Sequence, residues 1–352
     1  MPFRSDMRRA IAIALAFALG ATAVFGWYAW HRPTTGNPAH VTSAQPRSSA
    51  PTAKPPQNTE APPPLLSDQG WPTDAPSPEQ VIYAQPDLLD RELAQLKPRT
   101  PGRVNLYAIA FAGDGSENVF RNEAEYFEKL FIQRFHEAGH VIVLENNPAS
   151  LTSRPLADWS NLESTLDAVV AKMDPKQDIL VLYLTTHGSE DHTLLVDMDP
   201  LPLDQIGARE LAGILGEHPL KNKVVIVNAC YSGGFIPPLR EPGTLIITAA
   251  RADRSSFGCG EQSQLTWFGH AFLVDALNRN GDFAQAFQLA RKEVAQWEKR
   301  DGYTPSEPQM EIGAGIQAQL ATWERQNPVG TPVPFKPAAA ANAAAAAPQP
   351  HH

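Results

Sequence analysis

Cysteine is scarce in this chain: Cys230 and Cys259 are the only two in 352 residues. That excludes a disulfide framework and any Cys-rich zinc site. An excess of positive charge is also missing. The formal net charge is −9, so nothing draws the chain as a whole toward nucleic acid or anionic lipid. No Gly-rich phosphate loop follows the first strand-like run. The AGDG stretch at 112–115 is acidic where a phosphate would bind, which removes a nucleotide-binding reading. No Gly-x-Ser-x-Gly elbow is present, which removes an esterase reading. No internal repeat is found, no His-x-x-x-His helix or carboxylate spacing supports a metal site around residues 190–192, and no metal or cofactor is expected. Glu190, Asp191 and His192 read as a solvated loop.

Proline and alanine crowd the two ends. Arg4, Arg8 and Arg9 precede an apolar run over 10–30 that ends in Trp27, Tyr28 and Trp30. Its length suits a bilayer crossing, its aromatic end suits an interface, and its basic flank points the N-terminus to the cytoplasm. Residues 1–31 are therefore expected to be a membrane anchor, with a cleaved signal sequence (small residues Ala21 and Ala23) as the alternative. The rest of the chain would lie outside the cytoplasm, facing the periplasm. Residues 32–100 read as a Pro-rich spacer with a short amphipathic helix near 87–96. Residues 326–352 read as a disordered Pro/Ala-rich tail, and the terminal His351–His352 pair as incidental to it.

Between 101 and 325 the pattern is that of a folded domain. Apolar runs at 103–111, 141–144, 178–185, 222–228 and 244–249 are rich in Val, Ile and Leu without alternation. Such runs suit strands covered on both faces. Helical spacing occupies 121–138, 161–173, 207–216, 267–279 and 283–299. The alternation predicts an α/β fold, a mostly parallel sheet between helices, with its chemistry at the C-terminal strand ends.

Two of those ends carry reactive side chains. The third run closes on Thr185-Thr186-His187-Gly188-Ser189, the fourth on Asn228-Ala229-Cys230-Tyr231-Ser232-Gly233-Gly234. If the strands are neighbours, His187 could take the proton of Cys230 and return it to a leaving amine. The N–H groups of Gly188 and Cys230 would face a developing oxyanion, and Gly233 and Gly234 would keep a groove open. Each residue alone has an ordinary explanation, a buried thiol or a strand-capping imidazole; the pairing gives the functional reading its weight.

YLTTHGS and VNACYSGG, at those strand ends, resemble the His-Gly and Ala-Cys-x-Ser-Gly blocks of legumain-like peptidases, the C13 family of the caspase clan. The resemblance spans about 103–275 and includes AFAGDGSENVF and TAARADRSSFGCG. It implies a caspase-like three-layer sandwich, a Cys230–His187 dyad and a thioester acyl-enzyme. The implied partner is a peptide or protein substrate, with transpeptidases and a transamidase subunit as relatives. Arg121 falls where the family's specificity arginine lies, and Ser255 and Ser256 match a pocket-lining pair. Tyr231 and His270 replace family acids, so an Asn-specific pocket is not expected. The departures leave a second function open, a membrane-tethered and catalytically silent binding module. Cys259 has no implied role.

Overall fold

The computed structural model describes residues 71–337 apart from 73, 261 and 262. The expected anchor at 10–30 and most of the Pro-rich spacer lie outside the described residues. Among the described residues no helix is long and apolar enough to cross a membrane.

The chain order is α1 (Pro78–Leu93), β1 (Leu106–Ala112), α2 (Asn118–Lys129), β2 (Val141–Glu145), α3 (Trp159–Lys172) and β3 (Ile179–Thr185). A two-residue hairpin, β4 (Thr193–Leu194) and β5 (Ile206–Gly207), leads into α4 (Ala208–Gly216) and β6 (Lys223–Asn228). A short turn of helix, α5 (Ile236–Leu239), precedes β7 (Thr244–Thr248). The next helix, α6, is built from Trp267–Gly269, a π-helical His270–Leu277 and Asn278–Asn280; α7 (Phe283–Asp301), β8 (Gln309–Ile312) and α8 (Ala314–Gln326) close the fold.

The six-stranded sheet has the order β2-β1-β3-β6-β7-β8. Every pairing is parallel except β7 with β8. The continuous apolar runs divide by parity, since successive side chains on a strand point to opposite faces. Leu106, Ala108, Ala110, Val181, Tyr183, Val224 and Ile226 face a core formed with α2, α6, α7 and α8. Tyr107, Ile109, Phe111, Leu180, Leu182, Leu184, Val225 and Val227 face another formed with α3, α4 and α5. The result is the expected α/β sandwich of three layers, with helices on both faces of a mostly parallel sheet.

Three features differ from expectation. Helix α1 begins at Pro78, well before residue 87, because Ser77 and Gln80 form a reciprocal capping box and Pro sits at the first helical position, where its missing N–H costs nothing. It buries Val81, Leu88 and Leu89, so this part of the expected spacer is packed structure. The expected tail is likewise docked in its first portion. Val333 is buried; its carbonyl accepts from Tyr126 Oη and Asn278 Nδ2 at 2.8 and 2.9 Å, and its N–H donates to Asn278 Oδ1 at 2.8 Å. Finally, β8 and α8 occupy the last part of the expected domain, where no strand or helix was expected. Ile316, Leu320 and Trp323 of α8 enter the core.

Candidate active site

The register of β3 on β6 sets the geometry. Thr185 pairs with Asn228, the last residue of each strand. The Thr186 N–H continues the ladder to the Asn228 carbonyl at 3.3 Å. His187 and Cys230 each lie two residues beyond that matched pair, on neighbouring parallel strands whose axes are about 4.8 Å apart. Their loops abut: a Cβ built on Gly188 would stand 2.3 Å from the Cys230 carbonyl oxygen. Only glycine fits at position 188.

The imidazole is held from the β1 side. His187 Nε2 lies 3.3 Å from Asp114 Oδ2 and 3.5 Å from Glu117 Oε2, and the Phe120 ring meets it edge-on at 5.1 Å. Asp114 is buried and sits just after β1, the other neighbour of β3. These carboxylates orient the imidazole. The His187 loop is tied down by Leu195 N–H to the His187 carbonyl and Ser189 N–H to the Thr193 carbonyl, both at 3.0 Å. Those bonds flank Gly188, and among the described residues neither the Gly188 nor the Cys230 N–H joins a backbone–backbone hydrogen bond. Both donors remain available to an oxyanion.

The thiol is held from the β7 side. The Ser256 N–H donates to Cys230 Sγ at 3.2 Å, and Ser256 Oγ and O lie 3.6 Å from the sulfur. Tyr231 adopts a left-handed backbone, φ 55°. Its N–H donates to the Arg254 carbonyl at 2.7 Å, which laces the Cys230 turn to the loop after β7. Its hydroxyl reaches Glu190 Oε1 at 3.3 Å, spanning from the Cys230 loop to the His187 loop.

The remaining expected residues divide. Ser256 is at the sulfur; Ser255 is exposed beside it. Arg121 pairs with Glu125 at 2.9 Å and Glu145 at 3.6 Å. His270 stacks on Trp297 and lies 3.5 Å from Asp275. Among the described residues His270 makes no hydrogen bond, ion pair or ring contact with Cys230 or His187. The small residues after Cys230 are tightly packed against neighbouring loops. A Cβ on Gly233 would meet the Ala252 backbone at 2.5 Å, and one on Gly234 the His192 ring at 2.1 Å. These glycines permit close packing, and Gly234 also lines a cavity. Beyond them a cavity of about 680 Å³ is lined by His192, Thr193, Gly207, Glu210, Gly234 and Pro237, among others.

Two site features are absent from the sequence reading. Glu123 is fully buried beneath the strand ends. Its Oε2 accepts from Tyr183 Oη at 2.8 Å, Thr185 Oγ1 at 2.5 Å and Asn228 Nδ2 at 2.7 Å. Its Oε1 accepts from the N–H and hydroxyl of Thr266 at 2.8 and 2.7 Å. One carboxylate thus joins the last residue of β3, the last residue of β6 and the N-cap of α6. Burial pushes its carboxyl above the usual range despite these bonds. The other feature is Cys259, whose sulfur lies within 4.8 Å of ligand atoms of both His187 and Glu117. Burial first, then the charges of Cys230 and Glu117, push its thiol up to about 11. It is a neutral thiol at physiological pH, and neither cysteine is in a disulfide.

Residues 158–319 match the Peptidase C13 family. The matched span is under half of the chain and contains both His187 and Cys230, in support of the legumain-like assignment. Asp114, Glu117, Arg121 and Glu123 precede it. No curated protein matches the chain. Among solved structures the chain is similar to caspase-1 from Spodoptera frugiperda, at 16% identity and a TM-score of 0.43, covering 60% of this chain and 87% of that one.

Proposed function

We propose that the chain is a cysteine endopeptidase in which Cys230 is the nucleophile and His187 the general acid–base. The observation that carries this reading is the β3–β6 register, which sets the two side chains at one level on adjacent strand ends. His187 takes the Cys230 proton, and the thiolate attacks the scissile carbonyl. The oxyanion accepts from the Gly188 and Cys230 N–H groups. The imidazolium, facing Asp114 and Glu117, then gives its proton to the leaving amine. Water resolves the thioester, with His187 again as base; an amine in place of water gives transpeptidation. Tyr231, Ser255 and Ser256 line the approach to the sulfur, and Arg121 and His270 are proposed to contribute to the recognition of an acidic or amide side chain. The domain is proposed to act outside the cytoplasm, tethered through 10–30; protease added to intact spheroplasts should then remove it.

The test is direct. Cys230→Ala and His187→Ala should each lose peptide cleavage with the fold intact, and a thiol-reactive probe should label Cys230 far faster than an ordinary thiol. Normal cleavage by folded Cys230→Ala would defeat the proposal. The Tyr231–Glu190 contact across the mouth favours the second reading, a silent binding module, and slow labelling with no cleavage would select it.

A further inference from the structure

Potential ligands from three separate segments converge beside His187: Asp114 and Glu117 in the loop between β1 and α2, His187 itself, and Cys259 in the loop after β7. The ligand atoms of Glu117, His187 and Cys259 all lie within 4.8 Å of one another. The Nε2 atom of His187 is 3.3 Å from Asp114 Oδ2 and 3.5 Å from Glu117 Oε2. Zinc bonds of about 2.0–2.3 Å in a tetrahedron place neighbouring ligand atoms about 3.3–3.8 Å apart. Two edges already have that length, and the sulfur, within 4.8 Å of the Glu117 and His187 ligand atoms, needs to move in by at most about an ångström. The donors are one sulfur, one imidazole nitrogen and carboxylate oxygens, a mixture that suits zinc, whereas calcium and magnesium take oxygen alone.

We propose that Glu117, His187 and Cys259, completed by Asp114, bind a zinc ion that switches the enzyme off. The inhibitory part rests on the peptidase reading; the binding part does not. On binding, the Cys259 thiol proton passes to solvent and the metal takes the His187 lone pair. An imidazole whose nitrogen is held by zinc cannot accept the Cys230 proton. Cys230 is not a ligand, which separates this site from simple capture of metal by the nucleophile. Cys259, with no part in the proposed chemistry, gains one in its control.

Cobalt is the probe, because a cobalt–thiolate bond absorbs in the near ultraviolet and zinc is silent. The metal-free full chain should bind one cobalt with that absorption, and zinc should displace it. Cys230→Ala should keep the absorption; Cys259→Ser should lose it. Glu117→Gln, read by binding alone in the Cys230→Ala background, should weaken affinity by more than the ~10–100-fold that loss of a ligand's outer partner costs, and it provides a second check if Cys259→Ser folds poorly. Zinc should inhibit peptide cleavage, a chelator should restore it, and Cys259→Ser should cleave normally while tolerating at least ~10-fold more zinc. The terminal His351–His352 pair is common to all variants and contributes a constant background. Absorption lost in Cys230→Ala and retained in Cys259→Ser would overturn the site, as would equal zinc sensitivity of wild type and Cys259→Ser. Cobalt binding through Cys259 in a chain that cleaves nothing would uphold the site and overturn the peptidase.

Discussion

Glu123→Gln is the substitution that most directly probes how the strand ends are held. Shape and volume are kept, and one acceptor oxygen becomes an NH₂ group. Each carboxylate oxygen faces an N–H donor: Asn228 Nδ2 at 2.7 Å from Oε2, an amide held in that orientation by its second bond to Thr266 Oγ1, and the Thr266 backbone N–H at 2.8 Å from Oε1. Whichever way the amide is turned, its NH₂ opposes one of them. Tyr183 and Thr185 can rotate their hydroxyls to accept, so they do not add to the conflict. Thr266 Oγ1 already accepts from Gly269 N–H and Asn228 Nδ2, both at 2.9 Å, and cannot relieve it. A buried donor left without an acceptor costs about 1–3 kcal/mol, and clashing N–H groups put the figure at the upper end. At roughly 2–4 °C per kcal/mol for a domain of this size, thermal unfolding should shift down by about 5–10 °C. The conflict lies directly under the last residues of β3 and β6. Displacing those ends by a fraction of an ångström should lower the rate of Cys230 labelling and kcat/KM together, by about 10–100-fold. Scanning calorimetry and probe kinetics on the same preparation read both effects. An unchanged melting temperature with an unchanged labelling rate would refute the argument that Glu123 ties the two strands.

Gly188→Ala should reduce kcat/KM by at least ~100-fold while circular dichroism is unaltered, because the added methyl would press on the Cys230 carbonyl; near-normal cleavage would show that this loop can retreat. Glu145 is buried on β2, and burial above all, with the Glu125 charge, pushes its carboxyl up to about 7. Its folded value is above its unfolded value of 4.5, so stability is lost as pH rises between the two. That difference corresponds to about 3 kcal/mol at most, and Glu145→Gln should be more stable by up to that amount at pH 8 and by nothing at pH 4. Urea midpoints at the two pH values check this, and a difference independent of pH would contradict it. Arg121→Ala should change the ratio of cleavage rates for matched Asn, Asp and Ala substrates; three unchanged rates would confine Arg121 to its pairing with Glu125 and Glu145.

The strands were readable because burial on both faces leaves a continuous apolar run, and the five expected runs lie within a few residues of β1, β2, β3, β6 and β7. The sixth strand was not readable. Its Gln309-Met310-Glu311-Ile312 is short, half-buried and at the sheet edge, so neither its length nor its hydrophobicity separates it from a loop. The capping box at Ser77 and Gln80 was a local signal that would have placed the start of α1. His187 and Cys230 could be singled out because each follows an apolar strand directly. Asp114 and Glu117 lay in a loop whose acidity argued only against phosphate. Glu123 could not be recognised at all: in Arg121-Asn122-Glu123-Ala124-Glu125 it looks like any solvated helix residue, and only the packing of α2 over the strand ends makes it an interior group. Cys259 was similarly hidden in a Ser/Gly-rich loop, brought to His187 by the chain's return after β7.

The register that levels His187 with Cys230 also decides where sequence change is tolerated. Their separation is inherited mainly from a ladder of paired peptide groups, so the stretch between β4 and β5 has little part in maintaining it. Segments can be inserted between β4 and β5, or exchanged for others of new shape, and the two reactive atoms stay where the sheet puts them. Inside β3 or β6 the opposite holds, because one added residue would turn every following side chain to the other face and carry the histidine or the thiol away with it. A lineage built on this arrangement is free to remodel what it recognises while the proposed reacting pair stays fixed.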